Sequence, residues 1–444
     1  MTDLSLTYKQ LNFFEKTYQV ALVLLLVISS GFPLFVNNKA VDLSVFLFIV
    51  AGAVYYNPKL TWVFKFTLGF AGLMLIQALM FGEFYIQTSI YQIILFSGAA
   101  LAVALLGTNL LYIYTRIMLV IAVIGVVLFI PVYISPMFVN QYIDYSPFHV
   151  FKNIPHEGWT STWHNFFLIH FPQDFFYGFI RNSGPFWEPG AFGGFLILAL
   201  IFNSLVHNTL RRKENIVFTI AIISTFSTTT YIAAIFYVAG FLFMQMENVK
   251  LKWGLLAGAV VLGVVMFFKV DFVGDKIQKE IKEAEYQAFV KCGDTRMASA
   301  YLDLEEIKDN PMHIIFGRGS HPETRIKGPD KEVLRTNGVT DLLSRFGLLF
   351  YIFAVGSIYL SFRFITGLGD GKKGLALVAL GTFFLLAFSE LYFIYILFKT
   401  LLVFYMAHGE RSGIATFNKV FSFKKKLLMD PLVPVTVATT PQNK

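Results

Sequence analysis

The run IVFTIAIISTFSTTTYIAAIFYVAGFLFMQM, Ile216 to Met246, decides how this chain is read. It is apolar almost throughout, but Ser227-Thr228-Thr229-Thr230 falls in its middle. As one helix it would rise about 46 Å at ~1.5 Å per residue, against a hydrocarbon core of about 30 Å. Excess length and a polar centre together predict two short spans hinged at the Ser-Thr cluster. The last apolar run, Leu375–Ala407, has the same form, with a polar break at Ser389-Glu390.

Working outward, further spans are expected at Val20–Val36, Val41–Tyr56, Trp62–Phe81, Tyr85–Leu106, Leu110–Ile134, Ala191–Val206, Trp253–Val270 and Phe346–Leu360. With both long runs split, the expected fold is an all-α polytopic membrane protein of about twelve transmembrane helices. The composition agrees: of 444 residues 56% are hydrophobic and 14% charged, too apolar for a soluble domain of this size. Basic loops test the count, because Lys and Arg collect on the cytoplasmic side. Splitting both runs puts Lys59, Arg211-Arg212-Lys213, Lys250, Lys252, Arg363, Lys372-Lys373 and Lys424-Lys425-Lys426 on one side, with N- and C-termini cytoplasmic. The net charge of +8 is then topological and needs no nucleic acid partner. Residues 431–444 read as a disordered cytoplasmic tail after a single transmembrane domain, 1–430.

Two large extracytoplasmic loops remain, at about 135–189 and 271–345. The first holds Trp159, Trp163 and Trp187 with His149, His156, His164 and His170. The tryptophans suit an interfacial belt, and the histidines follow no metal-ligand spacing, so no metal and no cofactor are expected. In the second loop two helices are expected, with apolar stripes Ile277, Ile281, Ala284, Ala288 and Met297, Ala300, Leu304, Ile307. Asp341 and Arg345, four apart, are expected to pair on a helix surface. One cysteine, Cys292, excludes an internal disulfide framework. The loops share Arg181, Arg296, Arg318, Arg325, Arg335 and Arg345, and arginine suits bidentate phosphate binding near lipid.

Three ordered motifs then carry a resemblance. Arg181 precedes Gly184-Pro185-Phe186-Trp187-Glu188-Pro189; Arg296 opens a helix ending in Asn310-Pro311 before Phe316-Gly317-Arg318-Gly319; and TNGVTDLLSRFGLLFYIF runs from Thr336 to Phe353. Together, over roughly Arg181 to Phe353, they resemble the O-antigen polymerase and ligase superfamily of membrane glycosyltransferases. Thr336-Asn337 replaces the His-Asn typical of ligases, and Glu188-Pro189 their Pro-Asn, so the chain looks closer to the polysaccharide polymerases.

The resemblance implies metal-independent transfer of a lipid-linked repeat unit from undecaprenyl pyrophosphate to an acceptor sugar hydroxyl. The reaction would take place on the outer side of the bacterial cytoplasmic (inner) membrane, in contact with membrane lipids and with a chain-length regulator as candidate partner. Arg181 would stabilise the leaving pyrophosphate and Glu188 would serve as general base, both catalytic; Gly184 and Gly190 would let backbone approach the lipid head. Arg296, Arg318, Arg335 and Asn337 would bind pyrophosphate or glycan. The bland alternative is an Arg181–Glu188 ion pair that closes a helix start. Ligase-type transfer to a lipid A core is the nearest rival function. A secondary transporter of an anionic solute, coupled through Lys399, is the rival of another class.

Overall fold

The computed structural model describes residues 8, 11–82, 85–135, 163–166, 168–172, 180–248, 250–254, 257–258, 261, 271–291, 293, 295–308, 310–328, 333 and 335–408. The expected span Trp253–Val270, Cys292, Trp159, His149, His156 and the expected tail lie largely or wholly outside them.

Eight described helices are long and apolar enough to cross a membrane, and the protein is an all-α membrane protein. The first five are α1 (Phe13–Gly31), α2 (Lys39–Tyr56), α3 (Thr61–Phe81), α4 (Ile86–Leu106) and α5 (Asn109–Ile134). The first begins seven residues before the expected Val20 because Asn12 and Glu15 form a reciprocal capping box. A short hairpin comes next, β1 (Trp163–Phe166) against β2 (Ile169–Pro172), then α6 (Pro189–His207).

The deciding run does break: α7 (Lys213–Ser224) and α8 (Thr228–Gln245) are separate helices joined by Thr225, Phe226 and Ser227. Phe226 takes a left-handed φ of 46° there, a conformation that ends a helix. Then come α9 (Asp271–Phe289), α10 (Arg296–Lys308), α11 (Pro311–Phe316), α12 (Gly338–Leu368) and α13 (Gly374–Ser389). The second long run also breaks after Ser389, but no continuous helix resumes beyond it. Residues 392–408 form short 3-10 and α pieces around Ile396–Lys399, nearly all buried. Sheltered inside the bundle, such irregular backbone can satisfy its carbonyls internally: Lys399 Nζ donates to those of Phe393 at 2.7 Å and Ile394 at 2.5 Å.

Contacts sort the loops into two ends of one bundle. At one end Gln245 meets Asn208, Lys372 Nζ reaches the Gln245 carbonyl at 3.5 Å, and Gly369 backs onto the carbonyls of Leu205 and Val206. The basic cluster Arg211-Arg212-Lys213 belongs here. At the other end Trp187 N–H donates to Gly31, Leu397 N–H to Ser30, and Asn182 to Ser224. The most buried of the eight described spans is α6, with 89% of its membrane-length window inside; in its first turn Pro189 is buried and Gly190 half-buried.

Helix α10 turns only part of its apolar stripe inward. Ala298, Ser299, Leu302, Asp303, Glu306 and Ile307 are buried, while Met297 and Leu304 are 47% and 40% exposed. Met297, Ala300 and Leu304 instead face Ala284 and Ala288 of α9 across a groove of about 880 Å³. The core-facing side is acidic because two buried guanidiniums meet it.

Candidate functional site

The segment from Arg181 to Glu188 is bolted in place by backbone bonds. His170 N–H donates to Gly184 at 2.7 Å, Ser183 N–H to His170 at 3.1 Å, and Arg181 N–H to Pro172 at 2.9 Å. Asn182 ties the same turn to the end of α7, donating from its backbone to the Ser224 carbonyl and from Nδ2 to Ser224 Oγ. Gly184 has φ +53°, and a Cβ there would sit 3.1 Å from the Phe192 ring. Its glycine thus serves a packed left-handed turn, not the open approach to a lipid head that the resemblance implies. His170 is buried, which lowers its imidazole to about 4 and keeps the ring neutral at physiological pH.

Gly190 is the opposite case. A Cβ on it would lie 2.9 Å from Glu188 Oε1, 3.2 Å from Glu390 Oε1 and 3.6 Å from Ser227 Oγ. Three elements therefore bring oxygens to one point: the start of α6, the break between α7 and α8, and the break after α13. Glu188 stands at the N-cap of α6 without a side-chain capping bond. Arg296, at the start of α10, donates from Nε to the Ser389 carbonyl at 3.4 Å, and its Nη2 lies 3.8 Å from Glu390 Oε1. The Arg296 side chain keeps 25% exposure and that of Glu390 11%. On the other flank Arg181 Nε donates to the Thr225 carbonyl at 3.3 Å, two residues before Ser227. Arg296 thus borders Glu390, and Arg181 is anchored at the neighbouring break between α7 and α8.

Asn337 belongs to this region but is committed. Its Oδ1 accepts from Val339 and Thr340 N–H, capping α12, and Nδ2 donates to the Arg296 carbonyl at 3.4 Å. It is fully buried, so it positions Arg296 rather than offering an amide to a ligand. Behind it a Cβ on Gly338 would collide with the Glu390 and Ala387 carbonyls, which explains the Asn-Gly pair.

Arg335 and Arg318 are placed elsewhere. Arg335 donates from Nε to Asp303 Oδ1 at 2.8 Å and from Nη2 to Glu306 Oε1 at 2.5 Å. Arg325 bonds Asp303 at 2.8 Å, Glu306 at 2.6 Å and Asp341 at 3.1 Å. All five side chains are at most 2% exposed. Asp341 also meets Arg345 at 2.7 Å, so this i,i+4 pair is a buried bond in a network and not the surface pair its spacing suggests. Burial pushes Asp303 up to about 6 against the pull of Arg325 and Arg335. Burial acts on Glu306 in the same direction, but the two guanidiniums and the Ser344 hydroxyl outweigh it and hold Glu306 below the ordinary carboxylate value.

Arg318 donates its backbone N–H to Ser344 at 2.7 Å and its Nη1 to the Glu306 carbonyl at 3.3 Å. The glycines beside it have a packing reason. Gly317 (φ +79°) and Gly347 (φ +74°) approach backbone to backbone, and a Cβ on either would strike the other strand's carbonyl. Gln77 closes the crossing by donating to Phe316 and Arg345 carbonyls at 2.5 and 2.8 Å.

Glu390 is the site residue that the sequence reading treats only as a span break. The signal was present: an acidic residue inside an apolar run marks a functional position. Lys399 carries no such signal in the fold. Its ammonium satisfies two freed carbonyls and lies 5.1 Å over the Phe96 ring. Among the described residues no three His, Cys, Asp or Glu side chains gather as a metal-ligand set. No family model matches this chain, and comparison with curated proteins and with solved structures gives no significant match.

Proposed function

We propose that the chain is a membrane glycosyltransferase of polysaccharide-polymerase type, elongating glycan from undecaprenyl-pyrophosphate-linked repeat units on the outer face of a bacterial cytoplasmic membrane. In this reading the chain crosses twelve times, counting Trp253–Val270 and the irregular 392–408 segment, with the basic end cytoplasmic. The observation that carries the reading is the meeting of Glu188, Glu390 and Ser227 over Gly190, flanked by Arg181 and Arg296, at the end opposite the basic clusters.

The residues suit one chemistry. An acceptor hydroxyl oxygen attacks the anomeric carbon of the donor as Glu188 takes its proton. The bond from that carbon to the pyrophosphate oxygen breaks, and the electron pair leaves with the pyrophosphate. Arg296 and Arg181 meet the charge that grows there. Glu390 holds Arg296 in place until the donor arrives. The apolar groove between α9 and α10, which includes Met297 beside Arg296 and Phe388 beside Ser389, suits the donor's polyprenyl chain. The carbonyl-capping role of Lys399 weighs against solute transport coupled through that residue.

The test is elongation of purified lipid-linked repeat units by the full chain in detergent or liposomes, resolved as a gel ladder. A ladder with release of polyprenyl pyrophosphate, unaffected by chelators, is expected. A well-folded protein that yields no ladder yet takes up an anionic solute against a proton or sodium gradient would overturn the reading.

A further inference from the structure

We propose that a second site on the same end of the bundle, distinct from the Glu188–Glu390 centre, binds a saccharide through one edge of a pyranose ring. The site is a small polar pocket between the end of α3, the start of α4 and the loop after α11. It offers a cavity volume of about 40 Å³, room for two or three groups of the size of a water, each of which needs roughly 10–15 Å³ of such space. A sugar would therefore seat two or three hydroxyls and leave the rest of its ring outside.

The lining decides the ligand class. Gln92 is 7% exposed and lines the pocket. Ser320 Oγ is buried and unpartnered. Buried polar groups left unpaired are rare and call for a ligand or a water. Gln77 spends its Nε2 on two carbonyls, so its Oε1, an acceptor, is what faces Gly319, 4.0 Å from where a Cβ would sit. The unprotonated oxygens of a phosphodiester or pyrophosphate cannot satisfy an acceptor; a hydroxyl can, because it both donates and accepts. Among the described lining residues none is Asp or Glu, which disfavours a cation, and Arg318 adds a further donor-bearing side chain. Tyr85 and His321, stacked in parallel at 3.5 Å, complete the wall with ring surface.

Placement ties the pocket to the proposed chemistry. Gly338 backs onto Glu390, while Arg318 and Gly319 bond the carbonyls of Ser344 and Arg345. The two sites are thus separated by the first two turns of α12, on the order of 10 Å along its axis, a distance that an oligosaccharide of a few rings spans. This inference rests on the glycan-transfer reading for the origin of its ligand, but binding can be measured without transfer.

The experiment is saturation-transfer NMR on the detergent-solubilised full chain, with methyl β-glucopyranoside and glucuronate as probes. At least one probe should show saturable transfer to its ring protons. Gln92→Leu and Ser320→Ala should each weaken it about tenfold, the effect of losing one buried hydrogen-bonding group. Ser320→Ala should leave the unfolding temperature unchanged or raise it, because the variant deletes an unsatisfied hydroxyl. Absence of saturable transfer from both probes, transfer undiminished in both variants, or displacement by inorganic phosphate would overturn the proposal. A protein that elongates glycan but binds no sugar here refutes the pocket alone; one that binds but never elongates refutes the enzyme reading alone.

Discussion

Two arginine–carboxylate clusters stand at the same end of this bundle and differ in almost every physical respect. In the first, Arg325 and Arg335 meet Asp303, Glu306 and Asp341 at 2.5–3.1 Å with side chains at most 2% exposed. In the second, Arg296 stands 3.8 Å from Glu390, a quarter of its side chain open to solvent, with Glu188 converging on the same glycine. The first is tightly met: Arg325 contacts three carboxylates and Arg335 two. Such a cluster fixes the second loop against α12 and has nothing left for a ligand. The second has a longer pair and is partly open, which is what a site needs if a phosphate is to compete for its arginine. Residue type alone does not tell them apart; distance and burial do.

Breaking one partner should therefore have opposite consequences in the two clusters. Arg335→Met strands buried carboxylates and should destabilise the fold by about 3–5 kcal/mol, read as a large drop in unfolding temperature and yield. Arg296→Gln, at a partly exposed and longer pair, should cost about 1 kcal/mol or less, while elongation falls steeply. If Arg335→Met unfolds normally and Arg296→Gln does not fold, the assignment of the two clusters is reversed.

A smaller effect sharpens the contrast between the two loops. The Arg181 turn is bonded through its backbone to a buried neutral histidine. A histidine lowered to about 4 in the fold contributes stability in full above its unfolded value near 6.5, and loses it as pH falls toward 4. The full contribution is on the order of 3 kcal/mol. Unfolding temperature measured between pH 7.5 and 4.5 should fall more steeply for the native chain than for His170→Gln. Parallel profiles would show that His170 titrates freely. The difference between the two chains isolates His170 from Asp303, which burial raises to about 6 and which opposes the trend.

Much of this fold could be read in advance because membrane length is a hard constraint. Ile216–Met246 and Leu375–Ala407 are too long to cross once, and each does break at its polar centre. The segment beyond the second break was not legible, since irregular backbone between Tyr392 and His408 depends on Lys399 and on buried surroundings far away in sequence. The site was half legible. Arg181 and Glu188 announce themselves as charges in a glycine-rich turn, and Arg296 as one of six outer arginines. That Arg335 is locked to Asp303 and Glu306 could not be seen, because its partners lie about thirty positions away on a helix whose apolar stripe suggested the other face. The mutual approach of Gly317 and Gly347 is hidden for the same reason: each glycine has meaning only against the other.

The central claim is that Glu188, beside Glu390 and above Gly190, takes the proton of the acceptor hydroxyl. Its most direct test is the elongation ladder of Glu188→Gln protein, prepared alongside native chain and matched to it in unfolding temperature. Removing a general base while preserving shape should lower the rate by about 10²–10⁴-fold, leaving bound donor and a ladder that stops at the starting repeat. A ladder of native length and rate from folded Glu188→Gln protein would contradict the account.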